Sequence, residues 1–252
     1  MITIIFGLPG AGKTAFMTYL LKTMYDAQRN ELFKFTCKKI LEINKEYGTN
    51  FTLPTQTPIF INTNYDVKFK IGFNKNFTPY VFDIRKFGVP LEGIDPKKKL
   101  EGIQFVPPGS QLFVPELQKY INSHEWEGVP KETRTAFEEH RQWWLNFVFD
   151  VQRPIMVAAA IRELGSRFIH VIKHENEYNF AGGVEKTTFY TLEFGSWQEA
   201  EAYVNTGRTA GGARKKYVYN GNIFKCYDSY SCRKDFVPTA KSQDFTYERR
   251  DA

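Results

Sequence analysis

Apolar positions alternate between two periods along the chain, and the switches mark its elements. Ile2-Thr-Ile-Ile-Phe6 is a short, nearly unbroken apolar run, the pattern of a strand buried on both faces of a parallel sheet. From Thr14 to Gln28 the period changes. Phe16, Met17, Leu20, Leu21, Met24 and Tyr25 recur at spacings of one, three and four, which predicts an amphipathic helix. A second helix is predicted from Cys37 to Tyr47, stopped by Gly48. Apolar runs bounded by Gly or Pro predict strands at Pro58–Asn62, Tyr80–Ile84, Gln111–Val114 and Pro154–Ala160. Phe168–Lys173 and Thr187–Phe194 alternate more clearly and read as antiparallel additions, while Glu132–Phe149 carries the longest helical pattern. Strand, helix, strand in this order predicts an α/β fold with a mostly parallel central sheet flanked by helices and joined by right-handed crossovers.

Punctuation divides the chain further. Residues 72–108 are dense in Gly, Pro and Lys and read as a loop-rich insertion within a domain spanning 1–206. Gly207 to Gly212 reads as a hinge, followed over 207–252 by a small β-rich extension in which basic and aromatic residues interleave. Asn220-Gly221 is a type I′ turn signal and predicts a hairpin there.

Composition sharpens this picture in two places. Aromatic residues make up 16% of the chain, which favours strands and thick packing layers. Net charge is +6, and residues 208–252 hold ten Lys or Arg against five Asp or Glu, so most of the excess lies in the extension. A local excess of that kind suits an acidic partner, nucleic acid or anionic lipid. The three cysteines, Cys37, Cys226 and Cys232, have no zinc-site spacing and read as reduced thiols of a cytosolic protein. The five-residue apolar N-terminus runs straight into glycines, which predicts no signal peptide. The most apolar stretch, Trp143–Ile161, is broken by Asp150, Arg153 and Pro154 and falls short of the ~20 residues a membrane helix needs.

The strongest chemical signal is Gly7-Leu-Pro-Gly-Ala-Gly-Lys13-Thr14, a complete Walker A motif set between the first strand and the first helix. Glycines let the backbone wrap closely enough for successive N–H groups to face phosphate oxygens. Gly7, Pro9, Gly10, Ala11, Gly12, Lys13, Thr14 and Ala15 are the expected nucleotide contacts. Lys13 would neutralise the β- and γ-phosphates, Thr14 would offer its hydroxyl to Mg2+, and the helix N-terminus adds favourable field. The cofactors expected are therefore ATP and Mg2+. A second, acidic motif should close an apolar strand. The best match is Gln111-Leu-Phe-Val-Pro-Glu116, with Glu116 as the catalytic acid but proline where the metal-site Asp is usual. Asp83, ending Tyr80-Val-Phe-Asp83, is the substitute candidate for the metal. Arg162 and Arg167 follow an apolar run and are candidates to reach a γ-phosphate, Arg162 being the favoured one.

These residues together resemble the zonular occludens toxin-like family, the filamentous-phage assembly ATPases related to the gene I product. The resemblance rests on Ile5 to Thr14, Ile59-Phe-Ile-Asn-Thr-Asn64, Val114-Pro-Glu-Leu-Gln118, Glu139-His-Arg141 and the late Phe224-Lys-Cys-Tyr-Asp-Ser-Tyr230. It implies an oligomeric ATPase that acts in the cytoplasm, at the inner face of the host membrane, and exports virions around single-stranded DNA. Carried over, Glu116 and Gln118 match the family's acidic motif and His140-Arg141 its His-Arg pair. Pro115 departs from the pattern, and the membrane helix that follows the ATPase core in the family is absent here, which implies a membrane-protein partner or a removed segment. The basic extension would hold single-stranded DNA, with Tyr217 and Tyr219 stacking on bases and Arg214, Lys215 and Lys216 on phosphates. Two other readings fit the same loop: a nucleotide-binding assembly scaffold with little hydrolysis, and a small-molecule kinase.

Overall fold

A computed structural model describes residues 1–48, 50, 52–54, 58–67, 79–88, 104–106, 108–124, 126–209 and 211–228. One eight-stranded sheet organises the molecule. Its parallel part comprises β1 (Ile2–Phe6), β2 (Ile59–Asn62), β4 (Tyr80–Phe82), β7 (Gln111–Val114), β8 (Asn146–Val151) and β9 (Arg167–Tyr178). Antiparallel β10 (Val184–Phe194) and β11 (Ala213–Asn220) extend it on one side, giving the order β11-β10-β9-β1-β8-β7-β2-β4. Short pairs join β3 (Asp66–Val67) to β12 (Tyr227–Asp228) and β5 (Phe87–Gly88) to β6 (Gln104–Phe105).

Alternate side chains of the parallel strands feed two cores. Ile2, Ile4, Phe6, Phe60, Leu112, Val114, Phe147 and Phe149 face one layer, where α2 (Lys131–Glu138) inserts Ala136 and Phe137. The same layer takes Ile161 from α3 (Ala159–Leu164) and Ala200 from α4 (Trp197–Thr206). Ile5, Ile61, Phe113, Val148, Ile169 and Val171 face the other, against Phe16, Met17, Leu20 and Leu21 of α1 (Lys13–Tyr47). Burial on both faces is why these strands carry apolar runs instead of alternation.

The predicted helix over 14–28 and the one over 37–47 are one continuous helix of 35 residues, closed by Gly48 in the left-handed conformation. The predicted helix over 132–149 is corrected. α2 ends at Glu138, Trp144 takes a positive φ of 56°, and Asn146-Phe-Val-Phe-Asp-Val151 becomes the central strand between β1 and β7. Two neighbouring strands offer that segment a full hydrogen-bond ladder, which outweighs a helical period in its side chains. Pro154–Ala160 is likewise not a strand. Pro154–Met156 form a 3-10 turn with proline at its start, and α3 begins at Ala159. Phe168–Lys173 lies in β9, which is antiparallel to β10 as expected but parallel to β1.

The hairpin expected at Asn220-Gly221 is also corrected. β11 pairs with the earlier β10, from Lys186 opposite Asn220 to Glu193 opposite Ala213, so residues 213–220 are an edge of the main sheet. After Gly221 the chain crosses α1 as a 3-10 turn (Ile223–Cys226), buries Ile223 and Cys226, and pairs Tyr227 with Val67. Most of the loop-rich segment 72–108, together with Cys232 and the basic residues beyond Asp228, lies outside the described residues.

Candidate functional site

The loop between β1 and α1 has the conformation its sequence requires. Gly7 hydrogen-bonds through its N–H to the Gln152 carbonyl at 3.3 Å, tying the loop to the segment that follows β8. A Cβ on Gly7 would sit 2.6 Å from the Val171 carbonyl oxygen, so no other residue lets the loop leave β1 this close to β9. Gly12 has φ 94°, and a Cβ there would meet His174 Nδ1 at 2.8 Å. From Lys13 onward the chain is helical, and the Phe16 N–H donates to the Gly12 carbonyl at 2.8 Å. Lys13 folds back along the loop and donates to the Leu8 carbonyl at 3.2 Å. Burial lowers its pKa, and the nearby Asp150 and Glu116 carboxylates oppose that shift.

The acid beside Thr14 is Asp150. It is fully buried at the end of β8, the strand next to β1, and its Oδ2 accepts the Thr14 hydroxyl proton at 2.8 Å. Its Oδ1 accepts the Glu116 backbone N–H at 2.7 Å. Burial raises the Asp150 pKa, while the Glu116 N–H, the Thr14 hydroxyl and the Lys13 charge pull the other way. Asp83 stands elsewhere: it follows β4, the far edge of the sheet, and Arg85 grips its carboxylate at 2.9 and 3.1 Å. The structure therefore does not bring Asp83 to Thr14. Asp150 was not singled out because it directly follows a pattern that reads as a helix, Glu132–Phe149, and interrupts an apolar run. The signal present was Phe147-Val-Phe-Asp150, an apolar run ending in an acid.

Glu116 is placed beside the loop through its backbone. It adopts φ 52° and ψ 47°, a left-handed conformation that costs a non-glycine residue free energy. Its carboxylate is ion-paired with Lys119. The turn carrying it is braced by Asn64, whose Nδ2 donates to the Pro115 carbonyl at 3.3 Å, and Asn62 in turn donates to Asn64 Oδ1 at 2.5 Å. Behind Thr14, Thr18 and Tyr65 share a hydrogen bond of 2.6 Å, and burial pushes the Tyr65 hydroxyl pKa up.

Other expected residues are not part of this cluster. Arg162 lies over the Trp197 ring at 4.7 Å and donates to the Ile155 carbonyl at 3.0 Å. Arg167 binds Glu193 through both ends of its guanidinium, at 2.9 and 3.1 Å. His140 is buried near the opposite end of β1. Its Nδ1 lies 2.7 Å from the Phe137 carbonyl, and its own carbonyl accepts from Leu145, which receives the Met1 amino group. Tyr217 points inward: it packs at 5.1 Å on Phe16, donates to Glu193 and accepts from Arg167. Tyr219 packs on the same side, and Lys215 reaches Glu193 at 2.8 Å. Only Arg214 and Lys216 of that basic run lack this inward engagement, and Lys216 sits 5.7 Å over the Tyr190 ring.

The site suits a nucleotide phosphate chain with Mg2+. The glycine positions leave no side chain in the cradle, Lys13 supplies the counter-charge, and Thr14 with Asp150 supplies hard oxygen donors. Among the described residues no three His, Cys, Asp or Glu side chains form a protein-only metal cage. Mg2+ shared with substrate phosphates and water needs none. Among those residues, also, no helix is long and apolar enough to cross a membrane.

No family model matches the chain, and no curated protein sequence does. Among solved structures, it is similar to the N-terminal domain of zonular occludens toxin from Neisseria meningitidis, at 17% identity and a TM-score of 0.48, covering 90% of this chain and 98% of that one. It is also similar to B204, the genome packaging NTPase of Sulfolobus turreted icosahedral virus 2, in complex with ATP-gammaS. That match has 9% identity and a TM-score of 0.37, covering 88% of this chain and 97% of that one.

Proposed function

We propose that the chain is a Mg2+-dependent P-loop ATPase. The observation that carries the reading is the Thr14 hydroxyl bound to the buried Asp150 carboxylate at 2.8 Å, beside Lys13. Loop N–H groups and Lys13 would bind the phosphates, and Asp150 would hold Thr14 in the rotamer that faces them. Mg2+, when bound, supplies charge neutralisation at the phosphoryl oxygens. Glu116 would accept the proton of the attacking water, its backbone position being fixed by Asp150. Asp150 thus takes the part that Pro115 cannot, from the neighbouring strand. The ion pair between Glu116 and Lys119 favours slow basal turnover, because the base must leave Lys119 to reach water.

The finer reading, supported by the sequence resemblance, is a phage assembly motor acting on single-stranded DNA. Self-association belongs to it. Leu8, Ile155 and Met156 are exposed apolar residues on the loop and on the segment tied to it. The test is phosphate release from ATP, with Mg2+ or with chelator, for wild type, Lys13→Ala and Glu116→Gln. Lys13→Ala should lose nucleotide binding with its fold intact. Glu116→Gln should bind ATP and lose most turnover, by about 100-fold or more. Wild-type turnover in Glu116→Gln would remove it from the mechanism.

A further inference from the structure

β9 is twelve residues long, yet it pairs with β1 only over Arg167–His170. Its continuation therefore rises past the phosphate loop and carries His174 against the loop's flank. The His174 Nδ1 lies 3.2 Å from the Ala11 carbonyl. A carbonyl only accepts, so Nδ1 carries the proton and the ring orientation is fixed. Gly12 is what lets the imidazole approach this closely, since a Cβ there would stand 2.8 Å from Nδ1. Phe224 packs against the imidazole, with ring centroids 4.8 Å apart and planes at 50°. Phe224 is set by the 3-10 turn that crosses α1. Its N–H donates to Asn222 Oδ1 at 3.0 Å, and its neighbours Ile223 and Cys226 are buried. Both His174 and Phe224 are only partly buried.

The two sides of the loop are thus chemically different. Thr14 and Asp150 make the β8 side polar and charged, the side for a metal and the terminal phosphates. The β9 side presents two partly exposed rings, His174 and Phe224. A nucleotide has the same polarity, charge at one end and a flat π system at the other. We infer that His174 and Phe224 form the wall against which the nucleobase lies, so that the segment after β11 completes the nucleotide site. This rests on the ATPase reading above. Stacking reads a ring face and not its edge, so the wall accepts adenine and guanine alike.

The test compares Mg2+-dependent binding of ATP, GTP and inorganic tripolyphosphate, which carries the charge without the base. Phe224→Ala, which leaves the loop's own contacts in place, should weaken ATP and GTP by about 5- to 150-fold, the range for one lost ring–base stack. Tripolyphosphate affinity should stay within about twofold. Phe224→Tyr should keep ATP binding, and His174→Ala, which also removes the hydrogen bond to the Ala11 carbonyl, should weaken ATP more than tripolyphosphate. Equal losses for ATP and tripolyphosphate would mean that the rings only support the loop. Unchanged ATP affinity in Phe224→Ala and His174→Ala would remove the wall altogether. Failure of wild type to bind either ligand would instead refute the phosphate-site reading itself.

Discussion

Replacing Asp150 with asparagine separates the metal-linked role we propose for this residue from its structural one. The carboxylate accepts two hydrogen bonds, from Thr14 at 2.8 Å and from the Glu116 N–H at 2.7 Å, while fully buried. Asparagine keeps the shape and one acceptor oxygen, which serves the Glu116 N–H, and it relieves the cost of burying a charge. Its NH2 then faces Thr14, which must turn its own proton elsewhere. Stability should change by no more than about 1 kcal/mol, because the lost charge-assisted bond and the relieved desolvation oppose each other. Function should not be spared. Loss of a group that orients a metal's ligand costs about 10- to 100-fold in metal affinity, or about 1.4–2.8 kcal/mol. Titrating Mg2+ against ATP turnover should therefore show the half-saturating Mg2+ concentration rising by that factor. Asp150→Ala makes the contrast. It leaves a partly buried hydroxyl and a partly buried N–H without their acceptor, at about 1–3 kcal/mol each, and thermal unfolding should fall on the order of 10 °C. Asp83→Asn loosens the Arg85 contact at the far edge of the sheet and should leave the Mg2+ dependence alone. An Asp150→Asn protein with wild-type Mg2+ dependence, beside an Asp83→Asn protein that has lost it, would refute the assignment.

Other consequences are open to measurement. Removing Arg214 and Lys216 together should flatten the salt dependence of single-stranded DNA binding by about 1.4 log units per log salt, at ~0.7 per phosphate contact. Tyr217→Phe should leave that binding unchanged and cost about 1–3 kcal/mol of stability, because its hydroxyl serves Glu193 and Arg167 in the interior. Burial lowers the pKa of both His140 and His170 from the ordinary 6.5. Below pH 6.5 the unfolded chain binds more protons, so the stability these rings contribute is present above 6.5 and lost as pH falls through their folded values. Urea unfolding at pH 7.5 and 5.5 should show the loss, and His140→Gln should reduce it.

How far the sequence could be read depended on where each signal was local. Gly7 to Thr14 is a self-contained motif whose glycines, lysine and hydroxyl each have one physical use, and Ile2–Phe6 ahead of it could only be a buried strand. That Glu116 stands near the loop was legible for the same reason, since an apolar strand leads into it. Asp150 was not, although it makes the defining contact. Asn146–Val151 follows a helix without a glycine or proline between them, and its strand state is imposed by β1 and β7, which lie 140 and about 30 residues away. The inward turn of Tyr217 was hidden likewise. A basic-aromatic run on an edge strand sends alternate residues to opposite faces, and only the β10 register decides which face carries the tyrosines.

The register between β7 and β8 explains how a proline could come to stand in the acidic motif. Parallel strands end side by side at one edge of the sheet, so neighbouring strands present their C-terminal residues to the same loop. Val114 lies opposite Phe149, which places Pro115 and Asp150 as the next residue on adjacent strands. An acid at either place faces the start of α1. On the function proposed above, Asp150 comes from β8, which adjoins β1 directly, and the position on β7 need take no part in holding the metal. Its carbonyl remains in use as an acceptor for Asn64, a contact that proline makes as well as aspartate would. Pro115→Asp should therefore add a second carboxylate beside a buried one, raising the Asp150 pKa further and giving no gain in turnover. A several-fold rise in turnover in Pro115→Asp would show instead that β7, not β8, is where the metal-site acid belongs.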